Sequence, residues 1–374
     1  MKVLFWAAAV LVAYTFVGYI CWLRLRLLWR RRPVRRGTCL PTVSIVMVVR
    51  NEEQILEDKL QNLLALDYPA ELCQIIAVSD GSTDRTEEIL REAGRNSRVQ
   101  VILNQLGRGK AAGLNDALEL AHGEIVVFTD ARQKIEANAV RLLVENFADP
   151  EVGCVSGELM LGHDSQGESN RGMGLYWLIE KQLRELEAAS GSVVGATGAL
   201  YAVRRELLTG IPQGTILDDV YIPMQVVRQG KRVVFDARAR AWDSPDLGVG
   251  REFSRKVRTL SGNYQLLQLA PWLLSGGNPI RFEFVSHKLL RLVVPFAMAV
   301  LLATSFVLTG PFYRLALIAQ LLFYALSMLA LNHRLKGGAL ARAADAAATF
   351  VLLNAAAVVA LANFLSGRRT AWTR

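Results

Sequence analysis

Four stretches free of Asp, Glu, Lys and Arg, at residues 3–23, 292–313, 315–333 and 346–367, dictate where this chain can reside. Each is close to the roughly 20 apolar residues that a helix needs to cross a bilayer, where only helices and closed barrels satisfy their own backbone polar groups. One N-terminal span and about three C-terminal spans are therefore expected around a polar middle block. The first stretch follows Lys2, as a signal peptide would, but its apolar run exceeds the roughly 7 to 15 residues of a signal core. Arg24, Arg26, Arg30, Arg31, Arg32, Arg35 and Arg36 follow it and read as a cytoplasmic stop. The N-terminus is then outside and the middle block inside. Arg334, Lys336 and Arg342 suit an internal loop, whereas the last span leaves Arg368, Arg369 and Arg374 outside, against the charge rule. A re-entrant final segment and a tolerated violation both remain open.

Composition narrows the classes further. With 52% hydrophobic residues the chain is not disordered. Its 43 basic against 34 acidic residues give a formal charge of +9, which the membrane topology largely explains. No basic stripe interleaved with aromatics is present, so nucleic acid is not an expected partner. Cys21, Cys39, Cys73 and Cys154 form no CxxC pair and have no histidine cluster nearby, which argues against a zinc or redox centre and suits reduced cytosolic thiols.

Between residues 41 and 281, β-branched runs alternate with helical periodicity. The run at residues 43–49 (VSIVMVV) leads into a helical pattern through residue 64, and the unit recurs at 74–78 with 83–93, at 99–103 with 110–121, and at 124–128 with 137–147. This βαβα repetition predicts an α/β domain on a Rossmann-like, mainly parallel sheet. In such sheets ligands bind beyond the carboxyl ends of the strands, and Asn51, Asp80 and Asp130 each stand at a strand end, so a nucleotide site is expected there. The apolar segment 263–274 (NYQLLQLAPWLL) is short, contains Pro271 and reads as interfacial.

In AVSDGSTDRT (77–86), Asp84 and Thr83 suit a helix cap as well as function, whereas a carboxylate at Asp80 suits recognition of a nucleobase N–H. The ordered set VSIVMVVRNEE, IIAVSDGSTDRT, GRGKAAGLNDAL, GEIVVFTDAR and LDDVYIP, over residues 41–260, resembles the family 2 glycosyltransferases, membrane-bound inverting enzymes of the GT-A fold. The resemblance implies transfer of a sugar from a nucleotide-sugar, a UDP-sugar first, to a growing polysaccharide or lipid-linked acceptor. It also implies a cytosolic GT-A domain on a bacterial-type inner membrane. The implied division is a span at 1–24, a basic cytosolic linker at 25–40, the GT-A domain at 41–262, an interfacial segment at 263–288, a membrane region at 289–367 and a basic tail at 368–374.

The residues carried over by that resemblance are these. Asn51 and Glu52 line the nucleotide pocket, Asp80 reads the base, and Lys110 lies near the nucleotide. Asp130 opens the DxD motif and is the metal ligand, for Mg2+ or Mn2+. The motif here reads Asp130-Ala131-Arg132, so an arginine replaces the second acid. One carboxylate with substrate phosphates still suits magnesium, while Arg132 would alternatively neutralise the diphosphate itself. Asp218 and Asp219 match the acidic pair whose second member is the general base, although two acids at a helix start also suit the dipole. Gly198 and Tyr201, in GATGALYAVRR, and Trp177 and Glu180, on the preceding helical stretch with Tyr176 and Arg184, are candidate acceptor residues. Arg258 keeps the arginine of the QxxRW motif of cellulose and hyaluronan synthases, but Arg255 and Thr259 replace its Gln and Trp. The missing Trp would stack on the acceptor, so processive synthesis and single-sugar transfer to a lipid both stay open, with Tyr264 or Trp272 as substitutes. An inactive nucleotide-sugar-binding component of an export complex is the remaining alternative, and an oligomer or export partner is expected if the spans alone cannot form a conduit. His287 and Lys288 suit anchoring at lipid headgroups or contact with an acceptor phosphate.

Overall fold

The computed structural model describes residues 1–162, 173–243, 249–332 and 338–367. The loop residues Arg334 and Lys336, the tail residues Arg368, Arg369 and Arg374, and the side chain of Tyr176 lie outside the described residues. In chain order, helix α1 (Lys2–Arg26) precedes strand β1 (Val43–Val49), α2 (Leu56–Leu64), β2 (Cys73–Asp80), α3 (Thr86–Ala93), β3 (Val99–Asn104), α4 (Lys110–Leu120) and β4 (Ile125–Phe128). There follow β5 (Lys134–Ile135), α5 (Ala139–Glu145), β6 (Val152–Leu161), α6 (Met173–Ser190), β7 (Tyr201–Arg204), α7 (Asp218–Arg228), β8 (Arg232–Asp243) and α8 (Val249–Leu269). Helices α9 (Arg281–Val307), α10 (Pro311–Leu331) and α11 (Gly338–Leu365) complete it.

The strands form one sheet in the order β3-β2-β1-β4-β7-β6-β8-β5. The first four run parallel, as their continuous apolar runs require when both faces are covered by helices. Strand β7 is antiparallel to both β4 and β6, and β8 is parallel to β6. The carboxyl ends of β1, β2, β4 and β8 therefore share one edge, and the chain entering β7 passes over it. All seven residues of β1 are buried, and they anchor the core between the flanking helices.

Helices α1, α9, α10 and α11 are each long and apolar enough to cross a membrane. The second of these begins at Arg281, not at the uncharged run from residue 292, because its early charges are neutralised internally. Arg26 of α1 donates to Glu283 at 2.5 Å, and Arg291 donates to Glu180 of α6 at 2.9 Å. His287 is buried between the carboxylates of Glu180 (2.8 Å) and Glu187 (2.9 Å), so it faces α6 and not the headgroups.

The segment 263–288, read as one interfacial piece, is not one element. Helix α8 runs through residue 262 to Leu269 and stops where Ala270 leaves the helical region (φ −139°, ψ 62°) before Pro271, because a following proline disfavours helical backbone. A short 3₁₀ turn (Pro271–Leu274) follows, then a non-helical stretch at 275–280, and α9 takes the segment from Arg281 onward. Gly262 lies where α8 crosses the loop before α7: a Cβ there would sit 2.5 Å from Leu217 Cγ. Gln265 of α8 accepts from the Ile216 amide at 2.9 Å and donates to Gly214 O at 2.8 Å, so this helix holds the approach to α7.

Candidate active site

At the end of β4 the chain turns through Thr129, Asp130, Ala131, Arg132 and Gln133. Asp130 is the exposed carboxylate of this turn, its side chain 40% accessible. Lys110, at the first position of α4, reaches across to it, with Nζ 2.8 Å from Asp130 Oδ1 and 3.1 Å from Asp218 Oδ2. Asp218 and Asp219 open α7, where acids interact favourably with the helix dipole. The Gly198 amide donates to Asp219 Oδ2 at 3.1 Å, and a Cβ on Gly198 would stand 3.3 Å from Asp130 Oδ2 and 3.5 Å from Asp219 Oδ2. Glycine at 198 thus lets Asp130 and Asp219 face one another across the incoming β7 loop.

The electrostatics follow from crowding. Burial, and then the neighbouring charge of Asp218, push Asp219 up to about 6, against the pull of Lys110. For Lys110 burial acts downward, but Asp130 and Asp218 outweigh it and hold the ammonium well above the usual lysine range. The cluster therefore contains one fixed cation, two carboxylates in contact with it, and a third poised to exchange a proton near neutrality.

The other expected site residues fall in several environments. Asn51 adopts a left-handed φ of 53°, and its side-chain oxygen accepts from the Thr83 amide at 2.8 Å, which ties the β1 and β2 loops together. The Glu52 amide donates to Thr86 Oγ1 at 2.8 Å. Asp80 is fully buried, and its two oxygens accept from the Arg108 (2.7 Å) and Gly109 (2.9 Å) amides, so it clamps the 107–109 loop. Asp84 accepts from the Thr86 amide at 3.0 Å, as a cap residue does.

Arg132 donates to Asp243 at the end of β8 at 2.5 Å, and Gln133 donates to the same oxygen at 3.1 Å. Tyr201 is buried with its ring stacked on Phe128 at 4.6 Å, beneath the carboxylates and not on an acceptor surface. Glu180 is buried in its pairing with His287 and Arg291, a structural position, while Trp177 is half-buried on the same helix. Arg258 is half-buried on α8 and makes no hydrogen bond to the cluster among the described residues. Both aromatics offered as stacking substitutes are half-buried and already in ring contacts: Tyr264 stacks on Phe364 of α11 at 5.5 Å, and Arg228 lies 5.6 Å over the Trp272 ring.

Sequence reasoning missed Asp243 and Lys59. The signal for Lys59 was present, because Leu56, Leu60 and Leu63 define the buried face of α2 and Lys59 is the charged residue on that face. No set of three or more His, Cys, Asp or Glu side chains suited to a metal occurs among the described residues. The donor set that remains, one accessible carboxylate at Asp130, fits an ion that shares its coordination with phosphate oxygens and water.

Residues 44–211 match the family profile described as Glycosyl transferase family 2. Over 234 residues, 62% of this chain and 56% of the relative, the sequence is 24% identical to a poly-beta-1,6-N-acetyl-D-glucosamine synthase of Staphylococcus epidermidis. It is 25% identical over 232 residues, 61% of this chain and 56% of the relative, to the synthase of the same name from Staphylococcus aureus (strain COL). The alignments thus span 56% of the length of these curated relatives. A mannosyltransferase from Pyrobaculum calidifontis, solved in complex with GDP-Man and Mn2+, superposes with a TM-score of 0.74 at 23% identity, over 98% of this chain and 99% of that one. That likeness establishes a shared architecture of GT-A-like sheet and apolar helices.

Proposed function

From the match of residues 44–211 to the Glycosyl transferase family 2 profile, we propose that this chain is a member of that family and transfers a sugar, with inversion, from a nucleotide-sugar to a glycan or lipid-linked acceptor at the cytosolic face of a bacterial-type inner membrane. The reading rests on one observation: Asp130, Asp219 and Gly198 converge at the sheet edge, with Lys110 bridging Asp130 to Asp218. Inversion requires the acceptor hydroxyl to attack opposite the departing nucleotide diphosphate. Asp219, buried and pushed up to about 6, suits removal of that hydroxyl's proton. Lys110 lies on the diphosphate side and stays charged, so it stabilises negative charge as the bond to the leaving group breaks.

Asp130 is the residue that would hold Mg2+ or Mn2+. Such an ion, when bound, neutralises the leaving diphosphate. Arg132 would have to leave Asp243 to take over that task, so the metal reading is preferred. A UDP-sugar is the first donor to test, with UDP-N-acetylglucosamine at its head because the matched synthases are named for a polymer of that sugar. Transfer of a single sugar to a lipid is the second reading. It is favoured by the ring contacts that already engage Tyr264 and Trp272, the two candidates to replace the Trp of QxxRW.

The test is transfer from radiolabelled UDP- and GDP-sugars by the purified protein in nanodiscs, with and without EDTA, and with Asp219→Asn as control. A labelled product that is lost with EDTA and with Asp219→Asn is expected, and product length on a gel separates polymer from single transfer. Undiminished turnover by Asp219→Asn would overturn the assignment of the base.

A further inference from the structure

Beneath the turn that carries Asp130 lies a charge that the proposed reaction does not use. Lys59 is 3% exposed on the inner face of α2. Its ammonium donates to Thr129 Oγ1 at 2.9 Å and to the Gln133 carbonyl at 2.6 Å, the two ends of the 129–133 turn. It forms no ion pair among the described residues. A methionine would fill nearly the same space without a charge to desolvate, so a lysine here works against stability unless its bonds serve another purpose. Those bonds brace the one turn that presents Asp130.

The bracing extends to the base. Thr129 is 3% exposed and donates through the same oxygen to the Ala199 carbonyl at 2.9 Å. Ala199 follows Gly198, whose amide holds Asp219 at 3.1 Å. A continuous path thus runs from Lys59 through Thr129 and Ala199 to the contact with Asp219, while the bond to Gln133 secures the far side of the turn. Gln133 and Arg132 are in turn held by Asp243 of β8, so the turn is fixed from three elements.

We propose that Lys59 is a positioning residue of the donor site, which sets the presentation of Asp130 and couples the donor turn to the Gly198 loop. This rests on the reading of Asp130 as the donor-side carboxylate. Burial pulls the Lys59 ammonium down to about 7 while the charge of Asp130 acts upward, which places the two within electrostatic reach of each other. Both direct bonds of Lys59 go to the donor turn and only a relayed one goes toward the base, so donor binding should suffer more than turnover.

Full-length Lys59→Met, Thr129→Val, the double variant and Asp130→Asn would be titrated with UDP and with GDP in the presence of Mn2+, and their thermal melts recorded. The expected result is nucleotide binding about tenfold weaker in each single variant, the scale of one charge-assisted hydrogen bond. The double variant should lose less than the product of the two single losses, because both changes break the shared Lys59–Thr129 bond. Lys59→Met should melt no lower than the native chain, having lost a buried charge, and in hydrolysis of the nucleotide-sugar its donor KM should rise more than its kcat falls. Native affinity in Lys59→Met alongside weakened Asp130→Asn would overturn the role of Lys59 and leave the donor-site reading standing. Full additivity in the double variant would overturn the coupling. A native chain that binds neither nucleotide would overturn the donor-site reading and this inference with it.

Discussion

Asp219 carries the most specific consequences at the scale of single residues. Its value of about 6 arises first from burial and then from Asp218. A general base acts deprotonated, so kcat/KM is expected to climb with pH up to about 6 and level above it. Removing the second cause with Asp218→Asn should move that limb to lower pH, and an unmoved pH–rate profile would contradict the assignment. Asp219→Asn should lower kcat by about a hundredfold to ten-thousandfold while nucleotide binding stays intact. The sign for stability is opposite to that of a salt-bridged acid. The folded value exceeds the usual aspartate value of about 3.9, so this group's contribution to stability is present at low pH and is lost as pH rises to about 6. An acid at 219 that opposes folding at neutral pH is what a site selected for chemistry would keep.

At the scale of elements, two junctions hold the site. Helix α8 meets the loop before α7 at Gly262, where an added Cβ would lie 2.5 Å from Leu217 Cγ. Gly262→Val is expected to displace that loop and with it Asp218 and Asp219. The loss should appear in turnover and in the melting temperature together, and a variant with native kcat would show that the loop tolerates the intrusion. The other junction is Arg26 with Glu283, side chains 8% and 7% exposed, which joins α1 to α9 with Ser190 of α6 as a further acceptor at 2.6 Å. Breaking one side of a buried pair strands the other charge, so Arg26→Met should destabilise the chain by about 3 to 5 kcal/mol, and Arg26→Met with Glu283→Leu should recover much of that. Melting curves in detergent decide it: a double variant as unstable as the single would mean that the pair does more than neutralise itself.

For the whole molecule, the sheet domain and the apolar helices are not separable pieces. Val257 of α8 is buried against Ala356 and Ala360 of α11, and Leu183 of α6 against Tyr19 and Leu23 of α1. Tyr19 also donates to Glu187 at 2.8 Å, the carboxylate that holds His287. An excised fragment of residues 41–262 would expose these faces and leave Glu180 and Glu187 without their partners from α9. We expect it to aggregate or to melt well below the intact chain. A monodisperse fragment with the intact chain's melting temperature would show that the membrane helices are dispensable to the fold.

The sequence by itself determined the backbone plan. Continuous β-branched runs, helical spacing and uncharged stretches act locally, so the mainly parallel α/β sheet and the four apolar helices were legible in the sequence. The ordered motifs likewise pointed to Asp130, Asp218, Asp219 and Lys110, because each follows directly from a strand or helix end. Only the tertiary structure decided where side chains with two plausible roles were directed. Arg132 was committed to Asp243, Asp80 to the 107–109 loop, Glu180 to His287 and Tyr264 to Phe364, each through a partner distant in sequence. The start of α9 escaped sequence reading for the same reason: Glu283, His287 and Arg291 look like a boundary until their partners on α1 and α6 are brought to them. Local patterns set where the chain is helix or strand, but whether a charge faces solvent, lipid, substrate or another charge depends on what long-range packing places opposite it.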